Sequence, residues 1–557
     1  MNFLIQSDET DRGRQRERTK KIILLSGPVS SGKSTLSEDL EEQFGLRILR
    51  TRDVLIKSLA SENPSAANDR LSLQAQGDRL DEKTGGKWVL SELIELLESP
   101  RDRTTVVDSV RTNSQLDHIR NAFPLAVAHV HLTAPMEELR KRYERRYRGG
   151  KAPSYDKVRE NRTEANIEDL ARVADLVIDT NRCSAEDVTV RAASYMSLYG
   201  DNDSGYVDVI IGAQYGSEGK GQIAAYISRE YDLLVRVGGP NAGHTVYEDP
   251  EPYTHHQLPS GTRRSSAKLL LGPGMTIKVD KLLEEISDCN VDVDRLKIDP
   301  NAIVITDEDI EQERDVEKMI GSTRSGVGEA TARKIRDRGK RASSRDKVLL
   351  AGDIPALKPW IGSAERVLTE AFANNQRVLL EGTQGTGLSL HHGYYPHVTS
   401  RDTTVAGCLA EAGIAPSKVR RVLMVCRSYP IRVENPPGAS SGPMTTEITW
   451  KDISERSGIE VKELEKTEKT STTHRRRRVA EFDWVLLRKA ALLNGPTDIA
   501  LTFADYLTIE NRKAQRFEQL SKETIDLIEE IERVTHARVS LISTGFNWRS
   551  TIDRRAW

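Results

Sequence analysis

The sequence predicts an α/β protein of two phosphate-loop domains, each a mainly parallel sheet flanked by helices. Three observations carry that expectation. One opening grammar occurs twice, starting at Ile22 and again at Val207: a short apolar run, a glycine-rich loop with Lys, then an amphipathic helix. Short apolar runs of strand length alternate with helical spacing through both halves. The chain has 557 residues, too many for one core at about 150 residues per domain.

Residues 1–20 are polar, rich in Arg and Glu, and lack the apolar centre of a secretory signal, so they read as a flexible extension. The first domain, 21–198, opens on Ile22-Ile-Leu-Leu-Ser26, and Val106-Val107, Val127 to Leu132 and Leu176-Val-Ile178 read as further buried strands. Gly200-Asp-Asn-Asp-Ser-Gly205 has turn formers at both ends, which makes 199–205 a linker. The second domain, 206–557, opens on Val207-Asp-Val-Ile-Ile211. Its other strands are expected at Leu269–Leu271, Ile303–Ile305, Val378–Leu380, Val422–Val425, Ile499–Leu501 and Val539–Ile542, with a helix through Ile525, Ile528, Ile531 and Val534.

Lys and Arg number 82 against 84 Asp and Glu, a net charge of −2, so there is no global basic excess to make nucleic acid the expected partner. No apolar run reaches the length needed to cross a bilayer, and a cytoplasmic location is expected. Cys183, Cys289, Cys408 and Cys426 lie far apart without a C-x-x-C, which argues against a disulfide framework or a structural zinc site.

Gly27 to Ser34 fits G-x-x-x-x-G-K-S between a strand and a helix. Gly27 and Gly32 let backbone N–H groups close on phosphate oxygens, Lys33 reaches the outer phosphates, and Ser34, followed by Thr35, can ligate magnesium. Asp108 in Val106-Val-Asp-Ser-Val-Arg111 ends an apolar strand, as a second magnesium-shell ligand or equally as a capping Asp, with Arg111 beside it. Arg140, Arg142, Arg145, Arg146 and Arg148 precede Gly149-Gly150, either as a phosphate-neutralising lid or as a solvated helix face. Residues 20 to 198 resemble the nucleoside and nucleotide monophosphate kinase superfamily. By that resemblance, Asp53 in Arg50-Thr-Arg-Asp53 is the nearest match to the residue that helps hold the acceptor.

The second loop, Gly216-Ser-Glu-Gly-Lys-Gly221, gains meaning from the blocks that follow in order. These are Arg236-Val-Gly-Gly-Pro-Asn241-Ala-Gly243-His244-Thr245, Gly321-Ser-Thr323, Glu381-Gly-Thr-Gln384-Gly, Tyr395-Pro-His-Val-Thr399, Thr472-Thr473-His-Arg475-Arg-Arg477-Arg478 and Ser543-Thr-Gly545. In this order they resemble the adenylosuccinate synthetase family over 206–557. The resemblance implies a ligation in two steps. A nucleoside triphosphate phosphorylates the 6-oxygen of a purine nucleotide monophosphate, and the amine of L-aspartate then displaces phosphate.

Residue by residue, His244 matches the acid that donates to the phosphoryl group in flight, with Lys220 steadying its charge. Ser217 and Gln384 occupy positions at the reacting purine, and Ser217 with the Gly243 carbonyl matches the magnesium site. Asn241, Thr323, Gln384 and Thr399 match the purine nucleotide site. Thr473, Arg475 and Arg477 match the aspartate loop, where guanidinium forks suit carboxylates. Gly216, Gly219, Lys220, Gly221, Asp505 and Gly545 match the triphosphate site. The family also implies Mg2+, ATP or GTP as phosphate donor, and a homodimer. Read without the resemblance, the run Arg475–Arg478 is a clamp, a surface patch or a nucleic-acid patch.

Three departures stand out. Ser217 replaces the family's Asp, the general base for the N1 proton of inosinate, and serine is neutral and a poor base at pH 7. Phage aminoadenylosuccinate synthetases, which act on deoxyguanylate, carry the same change, and Leu271-Gly-Pro-Gly274 also resembles that branch. A shorter hydroxyl leaves room beside N1 for a 2-amino group and can accept a hydrogen bond from it. Leu501-Thr-Phe-Ala-Asp505 lacks the Lys found in guanine-selecting members, and Arg336-Asp-Arg338 blurs which Arg crosses the dimer.

The expectation is therefore a bifunctional enzyme, a kinase joined to a ligase acting on dGMP or GMP. An inosinate ligase using GTP, and a nucleotide sensor with an inactive ligase fold, are the alternatives.

Overall fold

The computed structural model describes residues 22–62, 69–98, 104–124, 126–147, 153–161, 164, 166–196, 198, 206–248, 251–339, 348–469 and 475–557. Its contacts divide the chain into two units, Met1–Tyr199 and Gly200–Trp557.

The first unit is built on five parallel strands: β1 (Ile22–Ser26), β2 (Arg47–Arg50), β3 (Thr105–Asp108), β4 (Val127–Thr133) and β5 (Leu176–Asp179), in the order 2-3-1-4-5. β1 is apolar throughout because both of its faces are covered. Ile23 and Leu25 join a core with Leu36, Leu40 and Val188, while Ile22 and Leu24 join one with Trp88, Leu93 and Ile119. The glycine loop leaves the carboxyl end of this central strand and runs into the helix Lys33–Phe44. Gly27 has φ of +137°, and a Cβ there would lie 2.2 Å from the Leu132 carbonyl oxygen, so only glycine fits.

The second unit carries a nine-stranded sheet. In spatial order it runs Leu296–Ile298, Lys268–Leu271, Leu233–Arg236, Val378–Glu381, Val207–Gly212, Val419–Arg427, Asp498–Thr502, Arg538–Ser543 and Thr551–Asp553. All pair in parallel except the last, which is antiparallel. The apolar runs foreseen from the sequence are the central parts of these strands, and the run at Ile303 forms a short strand outside this sheet, Ile303–Val304. The helix through Ile525 spans Lys522–Thr535.

Five strands of the large sheet end at their carboxyl ends in polar residues, Arg236, Glu381, Arg427, Thr502 and Ser543, all buried. That edge of a parallel sheet is where α/β proteins bind ligands. A small antiparallel sheet of Ile431–Val433, Arg477–Ala480 and Glu447–Ile448 brings the Arg run to the same unit. Among the described residues no cysteine is bridged, and no helix is long and apolar enough to cross a membrane.

Candidate active site

In the second unit, Gly212–Gly221 turns from the central strand into the helix Lys220–Ile227, with Gly219 at its N-cap in the left-handed region. Lys220 is fully buried. Its Nζ donates to Glu218 Oε2 at 2.7 Å and to the Gly216 carbonyl at 3.1 Å. Glu218 Oε1 accepts from the N–H groups of Gln214 (2.9 Å) and Gly216 (2.8 Å), which fixes the turn.

His244 lies against this loop, at the start of the strand His244–Val246. Its Nδ1 is 2.5 Å from Glu381 Oε1, which also accepts from Arg236 Nη1 at 2.6 Å and from the Ser260 hydroxyl. Burial, with the Arg236 charge beside it, pushes the imidazole down to about 3. Burial alone would raise Glu381, but Arg236 and the bonds from His244 and Ser260 together outweigh it and hold the carboxyl at about 2. The ring is therefore neutral, with its Nδ1–H donating to a carboxylate. Nε2 is buried and has no hydrogen-bond partner among the described residues.

Two cavities meet at the loop. One, of about 420 Å³, is lined by Ser217, Asn241, Thr323, Gln384 and Thr399 among others. The other, of about 170 Å³, runs from Gly219, Lys220, Gly221 and His244 to Thr502, Phe503, Gly545 and Phe546. Gly216, Ser217, Gly243 and Arg477 line both. Ser217 thus stands on the wall that two ligands would share. Asn241 Oδ1 is buried without a partner among the described residues, and Gln384 Nε2 donates to Thr399 Oγ1 at 3.3 Å.

Other expected residues are placed differently. Asp505 is 1% exposed and off both cavity walls; one oxygen accepts from Arg512 Nε at 3.0 Å, and the other is buried without a partner among the described residues. Burial raises its carboxyl to about 6 against the opposing pull of Arg512. Arg475 lines neither cavity and pairs with Glu317. Arg477 Nη1 donates to Glu468 at 3.2 Å, and Glu468 also holds Arg427 at 2.8 Å. Arg336 and Arg338 are exposed. Thr473 lies outside the described residues. Among the described residues no group of three or more His, Cys, Asp or Glu could hold a metal. Ser217 and the Gly243 carbonyl are weak oxygen donors on the shared wall, which fits a magnesium ion carried mainly by substrate phosphates and water.

In the first unit Lys33 folds back on its loop, donating to the carbonyls of Gly27 (2.6 Å) and Pro28 (2.8 Å). Burial, then the charge of Arg111, holds its ammonium well below the usual range. Ser34 and Thr35 are exposed on the first helical turn, and Asp108 Oδ2 accepts from the Ser37 hydroxyl at 3.3 Å. Arg111 pairs with Glu164 and lines a cavity of about 530 Å³. Arg142 and Arg146 line a separate cavity with Gly32 and Thr35, whereas Arg148 to Gly150 lie outside the described residues. Asp53 is exposed on the first turn of Thr51–Glu62 and lines neither cavity.

The sequence reading assigned no role to Glu381, Arg236, Ser260 or Glu218. The available signal was a charged residue ending an apolar strand, as in Leu233–Arg236 and Val378–Glu381.

A glycine loop with a buried lysine, a histidine beside it and two cavities that share its wall define the class as a phosphate-loop enzyme. The adenylosuccinate synthetase family profile matches residues 209–350 and 350–513, and an AAA domain profile matches 23–167. The chain is 38% identical over 356 residues to the adenylosuccinate synthetase of Methanococcus aeolicus, covering 62% of this chain and 99% of that protein. It is 35% identical to that of Pyrococcus horikoshii, covering 62% and 98%.

Among solved structures, cyanophage S-2L succinoaminodeoxyadenylate synthetase bound to dGMP and to dATP as an energy donor matches with a TM-score of 0.53 and 30% identity. It covers 63% of this chain and 96% of that one. Fully ligated adenylosuccinate synthetase from Plasmodium falciparum matches with a TM-score of 0.51 and 25% identity, covering 63% and 100%. The chain belongs to the adenylosuccinate synthetase family, and its ligase domain is fused to a P-loop phosphotransferase-like domain.

Proposed function

We propose that the second domain ligates L-aspartate to C6 of a 2-aminopurine nucleotide, dGMP or GMP, at the expense of a nucleoside triphosphate, and that the first domain is a nucleoside or nucleotide kinase. Ser217 carries this reading. It stands on the wall between the two cavities, where a carboxylate would crowd and repel nothing on a hypoxanthine but would take the space of a 2-amino group. The solved cyanophage relative bound to dGMP supports the same substrate class.

In the first step the purine 6-oxygen attacks the terminal phosphorus, the bond to the bridging oxygen breaks and the diphosphate leaves, while the N1 proton passes to solvent water. In the second, the aspartate amine attacks C6, phosphate departs with the 6-oxygen, and the nitrogen sheds a proton. His244 Nδ1 is held by Glu381 beside the loop, which leaves Nε2 buried and without a partner among the described residues. It can donate there only as imidazolium, which the arriving phosphoryl charge favours and the adjacent Glu381 carboxylate stabilises. Lys220, oriented by Glu218, adds fixed positive charge without reorganising. Magnesium, held by Ser217, the Gly243 carbonyl and the phosphates, would supply further charge neutralisation. Arg475 and Arg477 with Thr473 take the aspartate carboxylates, which requires Arg475 to leave Glu317. A homodimer through this domain, with Arg336 or Arg338 reaching the partner's nucleotide, and a cytoplasmic setting complete the proposal.

The test is a matched comparison of IMP, GMP and dGMP with aspartate, magnesium and ATP or GTP, read by the mass of the succinyl product. Faster turnover of dGMP or GMP is expected. Faster turnover of IMP would overturn the substrate assignment.

A further inference from the structure

We propose that the acceptor of the first domain is an unphosphorylated guanine nucleoside, guanosine or deoxyguanosine, bound in the cavity of about 530 Å³ with its 5′-hydroxyl toward the phosphate loop and its base toward Asp78. The inference rests on the kinase reading above. One end of the cavity is tied to the phosphate loop. Glu164 accepts the Val29 N–H of that loop at 3.2 Å and pairs with Arg111, which lines the cavity. Gln115, 2% exposed, links this end to the other: its Oε1 accepts the Arg111 N–H at 2.8 Å, and its Nε2 donates to Asp81 Oδ1 at 2.8 Å. Trp88 Nε1 holds the same Asp81 oxygen at 2.7 Å. The two ends are thus set relative to each other before an acceptor binds.

Charge decides whether the acceptor carries phosphate. The described lining has four carboxylates, Asp78, Asp81, Glu82 and Asp169, against the single cation Arg111, which Glu164 already pairs. A monophosphate would add its own negative charge to this field, so an acceptor without phosphate is favoured.

Hydrogen bonding decides the base. Asp78 and Asp81 lie one turn apart on the helix Arg70–Thr84, both half-buried and both on the cavity wall. Asn161 Nδ2 donates to Asp78 Oδ2 at 2.9 Å and steadies that carboxylate. A carboxylate presents two acceptors side by side. Guanine meets it with two adjacent donors, N1–H and the 2-amino group. Adenine and cytosine put a ring-nitrogen lone pair beside their amino group, and thymine and uracil flank their N–H with carbonyls, so each would set a lone pair against a carboxylate oxygen.

In the transfer, the 5′-oxygen attacks the terminal phosphorus of the triphosphate on the Lys33 loop, the bond to the bridging oxygen breaks, the diphosphate leaves with the electron pair, and the hydroxyl proton passes to solvent water. The product is GMP or dGMP. That is the class of nucleotide the second domain is proposed to ligate, so the first domain would supply the substrate of the second.

The test incubates the full chain with ATP and magnesium, without aspartate, and with one acceptor at a time: guanosine, deoxyguanosine, GMP, dGMP, adenosine, cytidine or thymidine. Product is read by mass. The expected result is a kcat/KM for guanosine or deoxyguanosine about tenfold or more above every other acceptor, lost in Lys33→Ala. Asp78→Asn, which sets an amide donor against a guanine donor, should lower that kcat/KM about tenfold or more with KM for ATP nearly unchanged. Faster phosphorylation of GMP or dGMP, or of a nucleoside with another base, would overturn the proposal, as would an Asp78→Asn variant of undiminished rate. If no acceptor is phosphorylated, the kinase reading fails, and calorimetric titration with guanosine and deoxyguanosine still decides the site. Binding that Asp78→Asn weakens supports it; no binding, or binding that the substitution leaves unchanged, overturns it.

Discussion

The two glycine loops share a grammar and differ in charge. Lys33 donates to the Gly27 and Pro28 carbonyls and to the Ser31 hydroxyl of its own loop, and lies in the field of Arg111 and Arg70, opposed by Asp108. Lys220 is paired with Glu218, a carboxylate of its own loop, and both are fully buried. The first loop therefore has no carboxylate bonded to its lysine, and the nearby Arg111 is paired with Glu164. The second is already balanced, and Glu218 also clamps the N–H groups of Gln214 and Gly216, so the frame is set before any ligand binds. A buried ion pair costs desolvation and seldom stabilises a fold for its own sake. The second domain has three such Lys or Arg to Glu pairs, at Glu218, Glu381 and Glu468, of which Lys220 and Glu468 line the smaller cavity. The first loop leaves its lysine to backbone and hydroxyl acceptors, whereas the second ties its lysine to a carboxylate.

Lys33→Ala breaks this comparison most sharply. It should lower phosphoryl transfer by the first domain about 10³-fold or more while aspartate ligation stays within about twofold. NDP release and succinyl mass are followed side by side, and loss of both in a folded variant would mean one shared site. His244→Asn probes the second loop's frame. It should cut ligation kcat by about 10²-fold with smaller changes in KM, because its Nε2 contact is made mainly in the transition state.

Arg475→Leu should act on the ground state instead, raising KM for aspartate about tenfold with nucleotide KM nearly constant. A pH titration of stability sharpens the contrast further. The unfolded chain takes up a proton at His244 near its ordinary 6.5, whereas the folded chain takes it up only near 3. Stability of the second domain should therefore fall on acidification below 6.5, by at most about 1.4 kcal/mol per pH unit for this group. Glu381 adds a loss of the same sign as pH drops from its ordinary 4.5 through about 2. Calorimetric Tm between pH 7 and 4 checks the slope, which His244→Asn should flatten above pH 4.5. The smallest effect is expected for Glu317→Gln. Freeing Arg475 from a half-exposed pair should lower aspartate KM by about two- to threefold in initial-rate assays.

Much of this was legible beforehand, for physical reasons. Parallel strands covered on both faces read as apolar runs, and glycine loops need their residues at fixed spacing, so Ile22–Ser34 and Val207–Gly221 announced both domains. Ser217, Asn241, Gln384 and Thr399, read from separate blocks, line one cavity. What pattern alone could not give was pairing across the sheet. Glu381 and Arg236 are 145 residues apart, and nothing local says that they share a histidine. Asp505 shows a second kind of non-local pairing: the motif expects it at a base, and in the fold Arg512, seven residues on, donates to one of its oxygens while the residue lies off both cavity linings.

The central claim is that Ser217, on the wall between the two cavities, sets which purine is ligated. Its most direct test is the ratio of kcat/KM for dGMP to that for IMP, measured for the wild-type chain and for Ser217→Asp with the same donor. The wild type should favour dGMP, and the carboxylate should reverse the ratio by crowding the 2-amino group and restoring a base for the N1 proton of IMP. A wild type that prefers IMP, or a Ser217→Asp variant that ligates normally with the ratio unmoved, would contradict it.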